Sequence, residues 1–268
     1  EGIVIYGKDL LSVLQPGDIK DIKYDKYFSY AFSAMKLLVN NFYPGLLKKP
    51  LPTEIGKVIL GDAAKAMIYC GEIYSLINGF YEPTTQGMIR RLSKIRETKD
   101  IDKSLVNNLK TALSIRKGTP VEKAPQQLWL EARKHVLDTF QFLLQRKINS
   151  KSDESGDLID QYLNNRRKYS TKNLQYIILS ALDKKGFWWK AAVTRYQMED
   201  RLSIALLRLV TSVDENGGIN KSILDTAYEE ELRGYTSIKQ SYKKSELWSN
   251  IRDSINTSWP YGCVLMGI

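Results

Sequence analysis

The chain has 268 residues, of which 43% are hydrophobic and 26% are charged. These fractions are ordinary for a folded globular protein and argue against an intrinsically disordered chain. Lysine and arginine total 40 against 30 aspartates and glutamates, a formal net charge of +10. This excess raises the expectation of a polyanionic partner, such as nucleic acid or nucleotide phosphates. A solvated lysine-rich surface is the preferred explanation, because the charge is spread along the chain and not gathered in one block.

Cysteine usage and hydropathy predict a protein of the cytoplasm. The two cysteines, Cys70 and Cys263, are far apart in sequence and form neither a disulfide framework nor a metal-binding spacing. The N-terminus has no signal-peptide pattern, and no apolar run reaches the roughly 20 residues that a membrane span needs. We therefore expect no membrane partner.

The first predicted element is a short strand at Ile3–Tyr6. A lone strand needs partners, so we expect it to be the remnant of a sheet that lies upstream in a longer protein. The rest of the chain shows apolar residues at helical spacing, interrupted by proline and glycine turns. Helices are predicted over 24–42, 53–78 (with Thr53 as N-cap), 83–97, 101–117, 125–147, 157–168, 171–184, 190–213, 220–232 and 237–255.

The predicted fold is all-α, a multi-helix bundle of about ten helices with the short N-terminal strand remnant. A polar stretch at 149–156 lacks apolar anchors and is interpreted as a linker. It divides the chain into a helical bundle over 1–148 and a second helical subdomain over 157–268. The apolar end, Trp259–Met266, is expected to be extended.

Catalytic and metal-binding motifs are absent from the sequence. The single histidine, His135, lies in the middle of a predicted helix and is interpreted as structural. Asp100 and Asp102 have the D-x-D spacing of some magnesium sites, but they precede a helix, where aspartate is favoured as a cap. There is no phosphate-binding glycine loop. We predict no metal ligands and no catalytic residues.

Basic residues cluster at several points and could contact phosphates. Arginine binds phosphate bidentately, lysine acts as a point charge, and nearby tyrosines and tryptophans could stack on bases. The rival interpretation is that these are ordinary surface cations and core aromatics. The candidate phosphate- or nucleic-acid-binding residues are Lys65, Arg90, Arg91, Lys94, Arg166, Arg167 and Lys168.

Two segments carry a family resemblance. The first, IVIYGKDLL at 3–11, looks like the end of a nucleotidyltransferase domain of the polymerase-β-like superfamily. The second, GDAAKAMIYCGEIYSLINGFYEPT at 61–84, is similar to a helix of the C-terminal bundle of such proteins. The resemblance covers about residues 1–148. The catalytic glycine-serine loop and the metal-binding carboxylates of that family would lie upstream and are missing from this sequence.

The resemblance implies a helical substrate- or partner-binding region of a nucleotidyltransferase-like protein, without the catalytic carboxylates. Whether the chain is an enzyme stays undecided. No cofactor is expected in it; Mg²⁺ and a nucleoside triphosphate are implied only if an upstream catalytic domain exists, and that domain would be a partner. The alternative is a non-enzymatic helical nucleic-acid-binding or scaffold protein. A third interpretation is a helical enzyme whose site is built from scattered residues.

Overall fold

The computed structural model describes residues 22, 24–96, 101–148, 198–233 and 238–266. The predicted strand, the linker, the helices at 157–168 and 171–184, and the candidates Arg166, Arg167 and Lys168 lie outside these residues. Within them there are eight α-helices and no strand. The helices are α1 (Tyr24–Asn40), α2 (Thr53–Ile77), α3 (Thr85–Ile95), α4 (Lys103–Arg116), α5 (Pro125–Ile148), α6 (Met198–Thr211), α7 (Lys221–Thr226) and α8 (Lys244–Met266).

Helix α2 is the centre of the first five helices and packs against α1, α3, α4 and α5. Its buried residues are mostly small or apolar, which lets neighbouring helices approach closely. At Gly71 an added Cβ would lie 2.9 Å from Met88 Cε and 3.0 Å from Leu109 Cδ1. This glycine therefore sets the distance at which α3 and α4 pack on α2.

Helices α6 and α8 pack on α1 and share its hydrophobic core, and α7 packs on α6 and α8. Arg133 of α5 donates from Nε to the carbonyl oxygen of Val210 at 2.8 Å. Trp248 of α8 donates from Nε1 to the carbonyl oxygen of Leu209 at 3.3 Å. The last turn of a helix leaves its carbonyl groups without helical partners, so these two side chains cap the C-terminal end of α6.

A turn at 214–218 separates α6 from α7. Gly217 has a φ of +72°, a conformation that suits glycine. The carboxylate of Asp214 accepts hydrogen bonds from the backbone N–H groups of Asn216 and Gly218, at 2.8 and 2.7 Å. The turn leads into α7, which continues as a π-helical turn over Ala227–Leu232.

The predicted all-α fold is confirmed for the described residues, with three differences in detail. Their helix count is eight, against about ten predicted for the whole chain. Pro52, not Thr53, precedes the first residue of α2, and no side chain caps that end. The extended segment predicted at Trp259–Met266 is wrong, because α8 continues to Met266. Pro260 removes one backbone donor, and the flanking residues nevertheless keep helical geometry.

Candidate nucleic-acid interface

A groove of about 540 Å³ lies between α3 and α4. Ile89 of α3 and Leu113 of α4 contribute apolar surface to it, and Gln86, Ser93 and Ser114 contribute polar groups. Four cationic side chains complete the lining: Arg90, Lys94, Lys110 and Lys117.

Helical spacing places these cations on facing sides of the two helices. Arg90 and Lys94 are four residues apart on α3, and Lys110 and Lys117 are seven residues apart along α4 and its C-cap. The opposite side of α3 is anchored in the core by Met88 and Leu92. Packing of that apolar side leaves the polar side of α3 facing the groove.

The charged side chains that line the groove are all positive. Neither α3 nor α4 contains an aspartate or a glutamate. In the described part of the chain, none of the four lining cations forms an ion pair, and all four are exposed. Four like charges that converge without a neutralising carboxylate create a positive potential that attracts anions.

The structure brings together two of the predicted candidates and separates two others. Arg90 and Lys94 both line the groove. Arg91, one position along, points elsewhere: its guanidinium lies 4.7 Å from the ring centre of Phe80 and its Nη1 lies 3.4 Å from Glu82 Oε1.

Lys65 is also away from the groove. Its Nζ lies 5.8 Å from the ring centre of Tyr69 on the same helix. Tyr69 in turn packs edge-on against Tyr30 of α1, with ring centroids 5.7 Å apart. The tyrosines expected to stack on bases therefore do not line the groove, whose described lining contains no aromatic residue.

Sequence reasoning missed Lys110 and Lys117. Lys110 has no basic neighbour in the sequence, and Lys117, the C-cap of α4, is adjacent only to Arg116. A signal was present, because the consecutive stretches 85–95 and 103–116, which form α3 and α4, contain no aspartate or glutamate. Only the packing of α4 against α3 makes their cations neighbours of Arg90 and Lys94.

A second group of polar side chains lies where the start of α4 meets α5. One ring nitrogen of His135 and one carboxylate oxygen each of Asp102 and Asp138 lie within 4.8 Å of one another. Asp102 is the N-cap of α4, as its position before the helix predicted: its side chain accepts a hydrogen bond from the backbone N–H of Ser104 at 2.8 Å. Partial burial opposes ionisation of this carboxyl, but the hydrogen bonds from Ser104 hold its pKa below the usual value.

His135 is buried at 3% exposure, and a chain of polar contacts orients it. Its Nε2 lies 3.1 Å from Asn108 Nδ2. Asn108 Oδ1 accepts a hydrogen bond from Lys123 Nζ at 3.1 Å, and Lys123 also donates to Glu131 at 2.6 Å. Because Lys123 holds the oxygen of the amide, the amide nitrogen donates to Nε2 and the ring proton lies on Nδ1. Burial lowers the pKa of His135, so the imidazole is held neutral.

Comparison of the chain with protein-family models, with curated proteins and with solved structures yields no significant match. Among the described helices, none combines the length and the apolar character needed to cross a membrane.

Proposed function

We propose that this helical protein binds the phosphate backbone of nucleic acid in the groove between α3 and α4. The observation that carries the proposal is the convergence of Arg90, Lys94, Lys110 and Lys117 on one groove lined without a carboxylate. Arginine and lysine are the side chains that supply most phosphate contacts in protein–nucleic-acid complexes.

The character of the groove lining favours binding that is independent of sequence. Base sequence is read through hydrogen bonds to base edges, whereas stacking on aromatic rings holds bases of any sequence. The described lining is dominated by four cations, with two serine hydroxyls, the single amide of Gln86 and apolar surface, and it has no ring for stacking. Phosphate contacts of this kind position a strand without reading its bases.

The same chemistry suits both roles predicted from the sequence. A helical region beside a nucleotidyl-transfer domain and a self-standing nucleic-acid-binding protein would each use phosphate contacts to hold a strand. In either role, the groove would contact the phosphate backbone of the nucleic acid. The nucleotidyltransferase-like role stays a prediction.

The test is a fluorescence-anisotropy titration of the full chain against short labelled DNA and RNA strands of mixed sequence. The quadruple variant R90Q/K94Q/K110Q/K117Q removes the charge of the groove and keeps polar side chains. We expect it to bind at least about 10-fold more weakly than the wild type, since each neutralised phosphate contributes to affinity.

A matched control separates the groove from net charge. The variant K26Q/K48Q/K49Q/K57Q loses the same four charges from exposed positions elsewhere and should bind nearly as tightly as the wild type. Equal losses in the two variants would show that overall charge, and not the groove, determines binding. Displacement of the strand by a mononucleotide at equal phosphate concentration would instead assign the groove to a free nucleotide.

A further inference from the structure

We propose that Asp102, His135 and Asp138 form a binding site for one divalent transition-metal ion, such as Zn²⁺ or Mn²⁺. The site lies where the first turn of α4 meets the middle of α5, and it uses none of the side chains that line the groove. A failure of the metal-site proposal would therefore not bear on the proposed function, and a failure of the proposed function would not bear on the metal site.

The geometry of the three side chains supports a shared ion. His135 and Asp138 are three residues apart on α5 and so lie on one side of that helix. Asp102 is fixed opposite them by its role as N-cap. Ligand atoms around a tetrahedral ion with bonds of about 2.0–2.2 Å lie about 3.3–3.6 Å apart. The observed limit of 4.8 Å requires the exposed Asp138 carboxylate to rotate inward and Asp102 to loosen its contacts with Ser104.

The burial of the His135 imidazole is a second observation that supports a metal site. His135 is almost fully buried and its Nε2 is held by Asn108, whereas Nδ1 makes no hydrogen bond to any described residue. One ring nitrogen of His135 lies within 4.8 Å of a carboxylate oxygen of each aspartate. Because Nε2 is engaged by Asn108, we assign the ligand role to Nδ1. One imidazole with two carboxylates suits Zn²⁺ or Mn²⁺ better than Mg²⁺ or Ca²⁺, which prefer oxygen ligands alone.

Coordination through Nδ1 moves the ring proton to Nε2, which then needs an acceptor. A half-turn of the Asn108 amide presents Oδ1 to Nε2–H at the cost of the hydrogen bond from Lys123 to Oδ1, and Lys123 then keeps only its contact with Glu131 at 2.6 Å. Metal-bound histidines commonly donate their second N–H to such an oxygen, which fixes the ring. The surroundings of His135 thus already contain this supporting group.

A cation already occupies the point where the two carboxylates converge. Lys134 Nζ lies 2.7 Å from Asp138 Oδ2 and 3.8 Å from Asp102 Oδ2. Its side chain is 63% exposed, so it can turn into solvent at little cost. A metal ion therefore competes with Lys134, and removal of this lysine should strengthen metal binding.

The chain offers a matched control for these contacts. Lys221 and Asp225 on α7 form the same pair at the same spacing, with Nζ 2.7 Å from Oδ2, and the described residues place no histidine beside them. Substitutions in this second pair change surface charge equally and leave the proposed site intact. They isolate the effect of the site from the general attraction of cations to carboxylates.

The experiment is a titration of the full chain with Zn²⁺ by calorimetry and with Co²⁺ by visible absorption. We expect D102N and D138N each to weaken binding by at least about 10-fold and K134Q to tighten it by about 2- to 10-fold. D225N and K221Q should bind like the wild type. Asparagine at position 102 still caps α4, and Asp138 is exposed, so both variants are expected to fold.

A second measurement requires no substitution. The chain contains a single histidine, so every imidazole signal in a nitrogen NMR spectrum belongs to His135. We expect Zn²⁺ to shift the Nδ1 signal of the full chain at one equivalent. An unchanged imidazole spectrum under saturating Zn²⁺, or a D138N variant that binds like D225N, would overturn the proposal.

Discussion

The indole of Trp129 donates a hydrogen bond from Nε1 to the carbonyl oxygen of Leu38 across 2.8 Å, joining α5 to α1. Leu38 lies in the last turn of α1, where backbone carbonyl groups lack helical partners. The ring of Trp129 also stacks on Phe42, with centroids 3.7 Å apart. The side chain of Trp129 therefore caps α1 and also packs against Phe42 in the segment that follows this helix.

Substitution of Trp129 by phenylalanine should test this cap. The aromatic ring is kept but the donor is lost, so a buried carbonyl is left with one partner fewer. We expect W129F to lower the free energy of unfolding by about 1–3 kcal/mol in urea denaturation. W248F provides the comparison: it removes the longer bond to Leu209, 3.3 Å, and should cost less. If W129F lowered the free energy of unfolding by less than W248F does, the capping role of Trp129 would be contradicted.

Two glycines of α2 should respond to alanine in opposite directions. Gly71 lies against Met88 and Leu109, so a methyl group there overpacks the contact of α2 with α3 and α4. We expect G71A to destabilise by about 1–3 kcal/mol. Gly61 has nothing within 4 Å of an added Cβ, and G61A should stabilise by about 0.5–1 kcal/mol, because alanine is the better helix former.

The measurement for this pair is thermal or urea unfolding of both variants beside the wild type. The same substitution in the same helix controls for helix propensity. If both variants were stabilised by similar amounts, the close packing of α3 and α4 on Gly71 would be wrong. That result would also question the position of the groove, since α3 and α4 form its walls.

The thiol of Cys70 should be unreactive in the folded protein. Burial raises the pKa of Cys70 to about 12, so almost no thiolate is present at neutral pH. In a C263S background, which leaves Cys70 as the only cysteine, we expect no reaction with a thiol reagent until urea unfolds the chain. Rapid reaction under native conditions would show that α2 is not packed as described.

The same pKa shift has a consequence for stability. A thiol whose folded pKa lies above its ordinary value of 9.0 favours folding while it is neutral. This contribution is complete below about pH 9 and is lost as the pH rises through about 12. Stability of the wild type should therefore fall more steeply over this alkaline range than that of C70A, as measured by urea unfolding at each pH.

The sequence was sufficient to predict the first five helices. Their apolar residues recur at helical spacing, and the breaks at residues 44–52, 79–83 and 118–120 carry proline or glycine, which interrupt helices through backbone geometry alone. Asp102 as a cap was predictable for the same local reason. These features depend on residues close to one another in the chain.

The sites were less predictable because they depend on contacts between helices. Arg90 and Lys94 are visible as a basic cluster, but Lys110 joins them only after α4 packs on α3. Asp102 and His135 are 33 positions apart in the sequence and meet only through the packing of α4 and α5. No local pattern distinguishes Arg90, which faces the groove, from Arg91, which contacts Phe80 and Glu82.

The salt dependence of nucleic-acid binding tests the central claim most directly. Each phosphate contact contributes about 0.7–0.9 to the slope of the logarithm of affinity against the logarithm of salt concentration. If the groove binds the phosphate backbone, R90Q/K94Q/K110Q/K117Q should reduce that slope by about 3 relative to the wild type, while the control K26Q/K48Q/K49Q/K57Q leaves it nearly unchanged. Identical slopes for the wild type and the groove variant would contradict the assignment of the groove as the nucleic-acid interface.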